Sequence, residues 1–229
     1  MRTISIHQPV YLPWLGFFKK VESCDVFVFL DDVQYEKNGY QNRNKIRTKE
    51  GEMWLTVPVK AKSHTLLKDV KIEKLSKWKI KHLKSIEINY SKTNYFEKYW
   101  NDFEKIFQLE YDNLIEINTK IIKFIMKNLD INTKIIFSSD LNISESGSER
   151  ILKICKELKA DTYLSGVGGK DYLKLNEFED QSINVQFQNF HHPVYTQAYE
   201  KFIPNMASID LLFNEGENSK KILNKAMNF

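Results

Sequence analysis

The chain has 229 residues, of which 42% are hydrophobic, and its 34 basic and 30 acidic side chains give a formal net charge of +4. This composition suffices for a core of domain size, and the balanced charge excludes nucleic acid as the main partner, although a charged tRNA stays open as a donor. The widely separated Cys24 and Cys155 exclude a disulfide-dense secreted domain. No signal-like segment and no apolar run of about eighteen residues occurs, so we expect a cytoplasmic protein without a membrane partner.

The first part of the sequence has the pattern of a parallel α/β unit. Residues 3–7 predict a β-branched strand, residues 14–22 a short helix, and the apolar run from Val26 to Leu30 a strand buried on both faces. A strand, a helix and a second strand begin a parallel crossover unit. The stretches MWLTVPV and KDVKIEK predict two further strands.

The middle of the chain changes to a helical pattern before the α/β pattern returns. Apolar residues spaced by three and four predict helices from about Ser76 to Leu129, so we expect a helical insertion over about 76–130. The last third predicts strands at TKIIFSSD, ADTYLSG and INVQFQNF, a helix at SGSERILKICKELK and two closing helices. With no internal repeat, the sequence predicts one α/β domain, 1–229, with a mostly parallel, Rossmann-like sheet flanked by helices.

Polar side chains follow three of the predicted strands, at the point where each strand ends. In open α/β sheets, ligands bind in the crevice beyond these carboxyl ends. We therefore expect the three groups to contribute to one site. In chain order they are His7, Gln8, Tyr11 and Trp14; Asp31, Asp32, Gln34, Asn42, Arg43 and Asn44; and Ser165, Gly166, Gly168, Gly169 and Lys170.

Several of these residues have a structural explanation beside the functional one. Arg43 can grip a carboxylate or phosphate through two parallel hydrogen bonds, but QNRNKIR also suits a polar surface loop. The three glycines before Lys170 suit either an anion contact or a tight turn. Asp32, with its neighbour Asp31, could act as a base, and no metal is expected because no ligand spacing supports one. His192 is either a substrate contact or a cap on a strand end.

Six segments together resemble the WbqC-like family, which is associated with bacterial O-antigen and surface polysaccharide biosynthesis. The segments are IHQPVYLPWLGFFKK, DVFVFLDDVQYEKNGYQNRNKIR, WLTVPVK, YLSGVGGKDYL, HPVY and SIDLLFNEG. The resemblance extends from the first residues to about Ser219. It implies a transferase that joins an amino acid, glycine, or another acyl group to the amine of a nucleotide-linked amino sugar.

The opening strand, loop, helix and second strand also resemble the beginning of the nucleotidyltransferase and class I synthetase architecture. Those proteins bind ATP through an H-x-G-H motif on this loop. The nearest equivalent here is Trp14-Leu15-Gly16-Phe17, which has aromatic residues at both histidine positions. The cofactor is therefore left unassigned, with ATP still open.

Amide formation on a sugar amine assigns expected roles to the first group. The reaction needs a base for the ammonium and hydrogen-bond donors for the tetrahedral oxyanion. His7 is the candidate base, and Gln8 and Asn44 are candidate donors. The rings of Tyr11 and Trp14 suit stacking on a sugar or nucleotide base.

Two cations complete this expected site. Arg43 and Lys170 would hold the diphosphate of the nucleotide sugar, and we expect His7, Trp14 and Arg43 to converge on one crevice with the Gly166–Gly169 turn. Two alternatives stay open. His7 could be a satisfied histidine at a strand end, and the chain could be a non-catalytic nucleotide-sugar-binding or scaffold protein of a polysaccharide assembly complex.

Overall fold

The computed structural model describes residues 1–226 and has an α/β fold. The strands are β1 (Thr3–His7), β2 (Val26–Phe29), β3 (Arg43–Thr48), β4 (Gly51–Thr56), β5 (Val59–Lys60), β6 (Lys71–Ile72), β7 (Lys134–Phe137), β8 (Thr162–Ser165) and β9 (Asn184–Phe187). The α-helices are α1 (Leu15–Glu22), α2 (Trp78–Tyr90), α3 (Phe96–Gln108), α4 (Leu114–Asn128), α5 (Gly147–Glu157), α6 (Leu175–Glu179), α7 (Ile209–Glu215) and α8 (Ser219–Lys225).

Five strands form a parallel sheet in the order β7-β2-β1-β8-β9. The central strand β1 places Ile4 opposite Val26 of β2 on one side and Tyr163 of β8 on the other. The chain builds the sheet outward from β1 in one direction and then returns to build it in the other. The prediction of a mostly parallel α/β sheet is confirmed, and its strand order is that of a doubly wound fold with a topological switch point between β1 and β8.

Different parts of the chain cover the two faces of this sheet. Phe27 and Phe29 belong to the larger core cluster, together with the buried side chains of α2, α3 and α4. Val26 and Val28 belong to a second cluster with the buried side chains of α5 and α6. Because successive side chains of a strand point to opposite faces, a strand covered on both sides needs the continuous apolar run seen in β2.

The helical insertion predicted over about 76–130 is confirmed as α2, α3 and α4. Asn113 and Glu116 occupy the two positions of a capping box at the start of α4, and the Glu116 carboxylate accepts from the Asn113 backbone N–H at 3.3 Å. The aromatic residues of α3 are core residues, as Phe103 contacts Phe107, Phe124 and Phe213. Within residues 1–226, no helix has the length and apolar character needed to cross a bilayer.

The segment after β2 contains strands at MWLTVPV and KDVKIEK, as predicted, but these strands lie outside the main sheet. β3 and β4 form a separate antiparallel hairpin from the Arg43–Thr56 pair to the Thr48–Gly51 pair, and β5 pairs with β6 elsewhere. Most of QNRNKIR is therefore strand. Buried Asn44 and Ile46 alternate with the more exposed Arg43 and Lys45, and the polar Asn44 hides this alternation in the sequence.

Candidate functional site

A cavity of about 290 Å³ lies at the topological switch point, where the carboxyl ends of β1 and β8 meet. Its lining combines parts of two predicted groups with further residues that were not among the predicted site residues, and Lys20 is the charged one among them. The polar side chains and glycines of this lining include His7, Gln8, Lys20, Ser165, Gly166, Gly168 and Gly169. This volume is close to the lower limit of small-ligand pockets, so it suits one part of a substrate.

A second cavity of about 330 Å³ has a more aromatic lining. Its residues are His7, Val10, Trp14, Tyr40, Asn44 and Asn205. The Trp14 ring also packs edge-on against Phe190, with ring centroids 5.1 Å apart. His7 belongs to the linings of both cavities, so the end of β1 separates an aromatic space from a space that contains a lysine and a glycine turn.

The His7 imidazole is neutral at physiological pH. Its Nδ1 lies 2.8 Å from the Gln8 carbonyl oxygen, which can only accept, so Nδ1 carries the proton and Nε2 the lone pair. The ring also packs edge-on against Phe17, at 5.3 Å between centroids. Burial and then the charge of Lys20 lower the pKa of His7 to about 3, and the bond to Gln8 opposes this only in part.

Lys20 is a buried cation beside this histidine. Its side chain is on the inner face of α1, and the residue is 3% exposed. Nζ donates to the Ile6 carbonyl oxygen at 3.0 Å, and no carboxylate of the described residues pairs with it. Burial lowers the pKa of Lys20 to about 8. A lysine held without a counter-charge is unusual enough to mark a functional position.

The sequence contained a signal for Lys20 that the analysis missed. Lys20 lies three residues after Phe17 and four after Gly16, and all three residues are buried. A lysine beside Gly16 and Phe17 on the helix that follows the first strand, and therefore near the sheet, is the pattern that would have identified it.

The glycine turn has a structural requirement for glycine at one of its three glycine positions, Gly169. The turn is a short 3₁₀ helix, Val167–Asp171, in which none of the glycines has a positive φ. A Cβ on Gly169 would overlap the Ser165 hydroxyl, so the fold requires glycine there, whereas a Cβ on Gly168 would meet open space. A Cβ on Gly166 would lie 3.8 Å from Lys20 Nζ, next to the ammonium group.

The expected cation of this turn, Lys170, is not part of the cavity lining. Its side chain is exposed, and its Nζ lies 5.4 Å from the centre of the Phe187 ring. The turn therefore directs Lys170 outward, and Lys20 is the lysine that lies in the switch-point cavity.

Tyr11 cannot stack on a substrate in this structure, because its side chain is fully buried. Its hydroxyl is hydrogen-bonded to Nδ1 of His82 at 2.8 Å, and its ring packs against Trp78. The proline-rich loop therefore directs the Tyr11 side chain toward the helical insertion, whereas Trp14 lines the aromatic cavity. Sequence spacing alone does not separate these two directions.

Asp31 and Asp32 occupy a strand end, as expected, but their carboxylates already have protein partners. Asp31 accepts from the Ser139 backbone N–H at 3.0 Å and the Ser139 hydroxyl at 2.7 Å, and Asp32 pairs with Arg150 at 2.7 Å. The Ser138 hydroxyl lies within hydrogen-bond distance of both carboxylates and can donate its single proton to either. These contacts connect the end of β2 to the turn after β7, so the carboxylates are not placed to act as a base in the switch-point cavity.

Arg43 lies at a different cavity, of about 940 Å³, whose lining also includes Gln34 and Asn42. The Arg43 guanidinium donates to the Asn38 carbonyl oxygen and lies 4.5 Å from the centre of the Trp54 ring. Arg43 is absent from the linings of both cavities that contain His7. The expected convergence of Arg43 with His7 is not observed, because the β3–β4 hairpin carries Arg43 away from the main sheet.

The remaining expected residues have mixed placements. The Gln8 side chain lines the switch-point cavity and accepts from Gln41 Nε2 at 2.6 Å. Asn44 lines the aromatic cavity, but its amide donates to the Leu12 carbonyl oxygen at 2.6 Å, which holds Leu12 at a positive φ of 46°. His192 lies among Phe190, Tyr195 and Phe202 and lines neither cavity that contains His7.

Comparisons with known proteins identify relatives over nearly the full chain. The model of the WbqC-like protein family matches residues 8–222. The chain is also similar to the uncharacterized protein Rv1507c of Mycobacterium tuberculosis (strain ATCC 25618 / H37Rv), with 30% identity over 227 residues, which cover 97% of this chain and 98% of the relative. No solved structure matches.

Proposed function

Since the chain belongs to the WbqC-like protein family, we propose that it is a transferase of O-antigen or surface polysaccharide biosynthesis. In this proposal it forms an amide between glycine, or another acyl group, and the amine of a nucleotide-linked amino sugar. The reaction occurs at the switch-point end of β1. ATP stays open as a source of the activated acyl group, and the cytoplasm is the compartment that such substrates require.

The observation that carries this proposal is the position of His7 between two cavities of different character. A transferase has to bring two reactants together at one atom, and a shared residue marks where the two spaces meet. Trp14 and Tyr40 give the cavity of about 330 Å³ the flat apolar surfaces on which a sugar or base stacks. Lys20 and Ser165 give the cavity of about 290 Å³ a charged group and a hydroxyl.

The neutral state of His7 fits the proton transfer that amide formation needs. The amine nitrogen of the sugar attacks the acyl carbon, a C–N bond forms, and the bond between the acyl carbon and its leaving group breaks. The resulting ammonium loses a proton to the lone pair on Nε2, which then returns it to the leaving group. Because Nδ1 is fixed on the Gln8 carbonyl oxygen at 2.8 Å, Nε2 is the acceptor throughout.

The low pKa of His7, about 3, limits how long the ring can hold that proton. A general base works best when its pKa is near the operating pH. The pKa is low because the ring is buried and faces the charge of Lys20, so an anionic substrate that neutralises Lys20 would raise it. The proposal therefore predicts a base that becomes effective only after the nucleotide sugar has bound.

The test is acylation of UDP- and dTDP-linked amino sugars, followed by mass spectrometry. The donors are glycine with ATP, glycyl-tRNA and short acyl thioesters, each supplied separately. His7→Asn keeps a donor near the Nδ1 position and removes the Nε2 lone pair, so we expect turnover to fall by about two to four orders of magnitude. The matched control is Lys19→Met, because Lys19 pairs with Glu22 at 3.1 Å and lines neither cavity that contains His7.

A second candidate is a non-catalytic nucleotide-sugar-binding protein, and the low pKa of His7 is the observation that favours it. A histidine that is neutral over the whole physiological range can serve as a hydrogen-bonding partner without any proton transfer. Saturable binding of a nucleotide-linked amino sugar, with no acylated product from any donor, would support this candidate and exclude the transferase.

A further inference from the structure

We propose that Lys20 and the Gly166 end of the glycine turn form a binding site for a phosphate group. This site deepens the proposed function by naming the anionic part of the substrate that the switch-point cavity holds. It rests on the location given by the proposed function but not on the acyl-transfer reaction, so the two can fail separately.

The first argument is the missing counter-charge of Lys20. A buried ammonium is stable only when it is paired or hydrogen-bonded, and the hydrogen bond from Nζ to the Ile6 carbonyl oxygen uses one of its three N–H donors. Neither Asp nor Glu is found in the lining of the cavity. The protein thus holds a cation at the edge of its sheet without the anion that would compensate it.

The second argument is the space beside the ammonium group. Gly166 is half-buried with an ordinary extended backbone, φ −71° and ψ 165°, so its conformation does not require glycine. The one heavy atom within 4 Å of a Cβ built there is Lys20 Nζ, at 3.8 Å. Glycine at this position therefore keeps a place next to Nζ open, large enough for an oxygen of a bound anion.

The third argument is the set of groups around that place. His7 is neutral and offers no competing charge, while Ser165 and Gln8 are polar side chains without a net charge. The position beyond the end of β1, at the switch point, is where doubly wound folds bind the phosphates of nucleotides. A phosphate carries more charge than a carboxylate and gives a lone lysine a stronger partner, so we assign the site to phosphate.

Isothermal titration with inorganic pyrophosphate and with UDP tests this site on the full chain. We expect both probes to bind the natural protein, and Lys20→Met to weaken both by about thirtyfold or more, as expected for the loss of one partner of a buried charge pair. Lys19→Met, which removes the neighbouring lysine of the same helix and its ion pair with Glu22, should change both affinities by less than about twofold.

Gly166→Ala tests the same place while Lys20 is retained. The methyl group meets no backbone atom, so we expect native folding by circular dichroism, together with a loss of pyrophosphate affinity of about tenfold from obstruction next to Nζ. This variant keeps the proposal testable if Lys20→Met does not fold. Acetate forms a further arm, since an acetate response equal to the pyrophosphate response would indicate a carboxylate site and would contradict the phosphate assignment.

Three results would overturn the proposal: no binding of either probe by the natural protein, unchanged pyrophosphate affinity in Lys20→Met, or loss of affinity in Lys170→Met instead. Pyrophosphate binding that depends on Lys20, without acylated product, would leave the phosphate site intact and remove the transferase. Acylation that proceeds normally in Lys20→Met would remove the phosphate site and leave the transferase intact.

Discussion

Two places along the carboxyl edge of the same parallel sheet carry charged side chains, and these side chains differ in the partners that the rest of the chain gives them. At the ends of β2 and β7, Asp31 and Asp32 have hydrogen-bonding and ionic partners from Ser138, Ser139 and Arg150. At the ends of β1 and β8, Lys20 donates a hydrogen bond to the Ile6 carbonyl oxygen and has its Nζ 5.9 Å from the centre of the Phe27 ring, but no carboxylate of residues 1–226 pairs with it.

This difference separates a structural use of strand ends from a functional one. Buried charges that are paired stabilise the connection they span, and removing one partner exposes the cost of burying the other. A buried charge left unpaired lowers stability and is kept where a ligand completes it. Polar residues at the carboxyl end of a strand therefore indicate a site only when their partners within the chain are missing.

The largest effect on the free energy of unfolding is expected at Asp31, whose carboxylate has hydrogen-bonding partners within the chain. Asp31→Ala removes a buried carboxylate that accepts from the Ser139 N–H and hydroxyl, both within 3.0 Å, and leaves these part-buried groups without their partner. We expect the free energy of unfolding to fall by about 3 kcal/mol. Urea denaturation measures this change, and Asp140→Ala is the control because Asp140 is an exposed carboxylate in the same turn.

The control variant should change the free energy of unfolding by less than about 0.5 kcal/mol. An equally small loss of the free energy of unfolding in both variants would mean that the Asp31 hydrogen bonds do not form in solution. The contrast between the two strand ends would then disappear.

The second effect concerns Lys20 and has the opposite sign, because the substitution is expected to raise the free energy of unfolding. Lys20→Met removes a buried ammonium whose pKa is about 8 in the folded chain, against an ordinary 10.5, and this difference predicts a gain in the free energy of unfolding of about 2 kcal/mol at pH 7. The figure allows for the lost hydrogen bond to Ile6. A lower melting temperature in this variant would show that Lys20 is a structural residue like Asp31.

The pH dependence of the same pair of proteins sharpens this result. Between pH 8 and 10.5 the unfolded chain binds more protons at Lys20 than the folded chain, so the natural protein gains stability relative to Lys20→Met as the pH rises. The difference in the free energy of unfolding between the two proteins should therefore decrease steadily over this range. A constant difference would contradict the lowered pKa.

A third and smaller effect concerns His7, whose folded pKa of about 3 is below its ordinary value of 6.5. Between these values the unfolded chain binds more protons, so stability falls as the pH falls. From pH 6.5 to 5.5 we expect the natural protein to lose about 1 kcal/mol more than His7→Asn. Urea denaturation at the two pH values measures this difference, and equal losses would place the His7 ring in solvent.

The sequence predicted the parts of the fold that depend on local patterns. The apolar run of β2 and the apolar spacing within α3 depend on near neighbours in the chain, and each is found where it was expected. The placement of side chains at the strand ends depends on distant residues. Asp31 meets Ser138 across 107 positions, and Tyr11 meets His82 across 71.

The same reason explains which site residues could be found. His7 and the glycine turn were recognised because their location follows from the ends of two parallel strands. The direction of Lys170 and the path that carries Arg43 on a hairpin depend on packing that no local spacing specifies. Lys20 was overlooked because a lysine in a short helix is normally a surface residue.

The smallest effect tests whether the glycine turn belongs to the site or only to the fold. A Cβ on Gly168 meets no atom within 4 Å, and the residue has no positive φ, so alanine fits the 3₁₀ helix without strain. Because alanine restricts the unfolded chain, Gly168→Ala should raise the free energy of unfolding by about 0.5 kcal/mol. Gly169→Ala, which places a methyl group on the Ser165 hydroxyl, should lower it instead. Urea denaturation distinguishes the two signs, and a stability loss in Gly168→Ala would mean that the turn has a different conformation.

Pyrophosphate titration of the stabilised variant then shows how far the phosphate site extends from Lys20 along the turn. Unchanged affinity would confine the site to the Gly166 end, whereas weaker binding would extend it to Gly168.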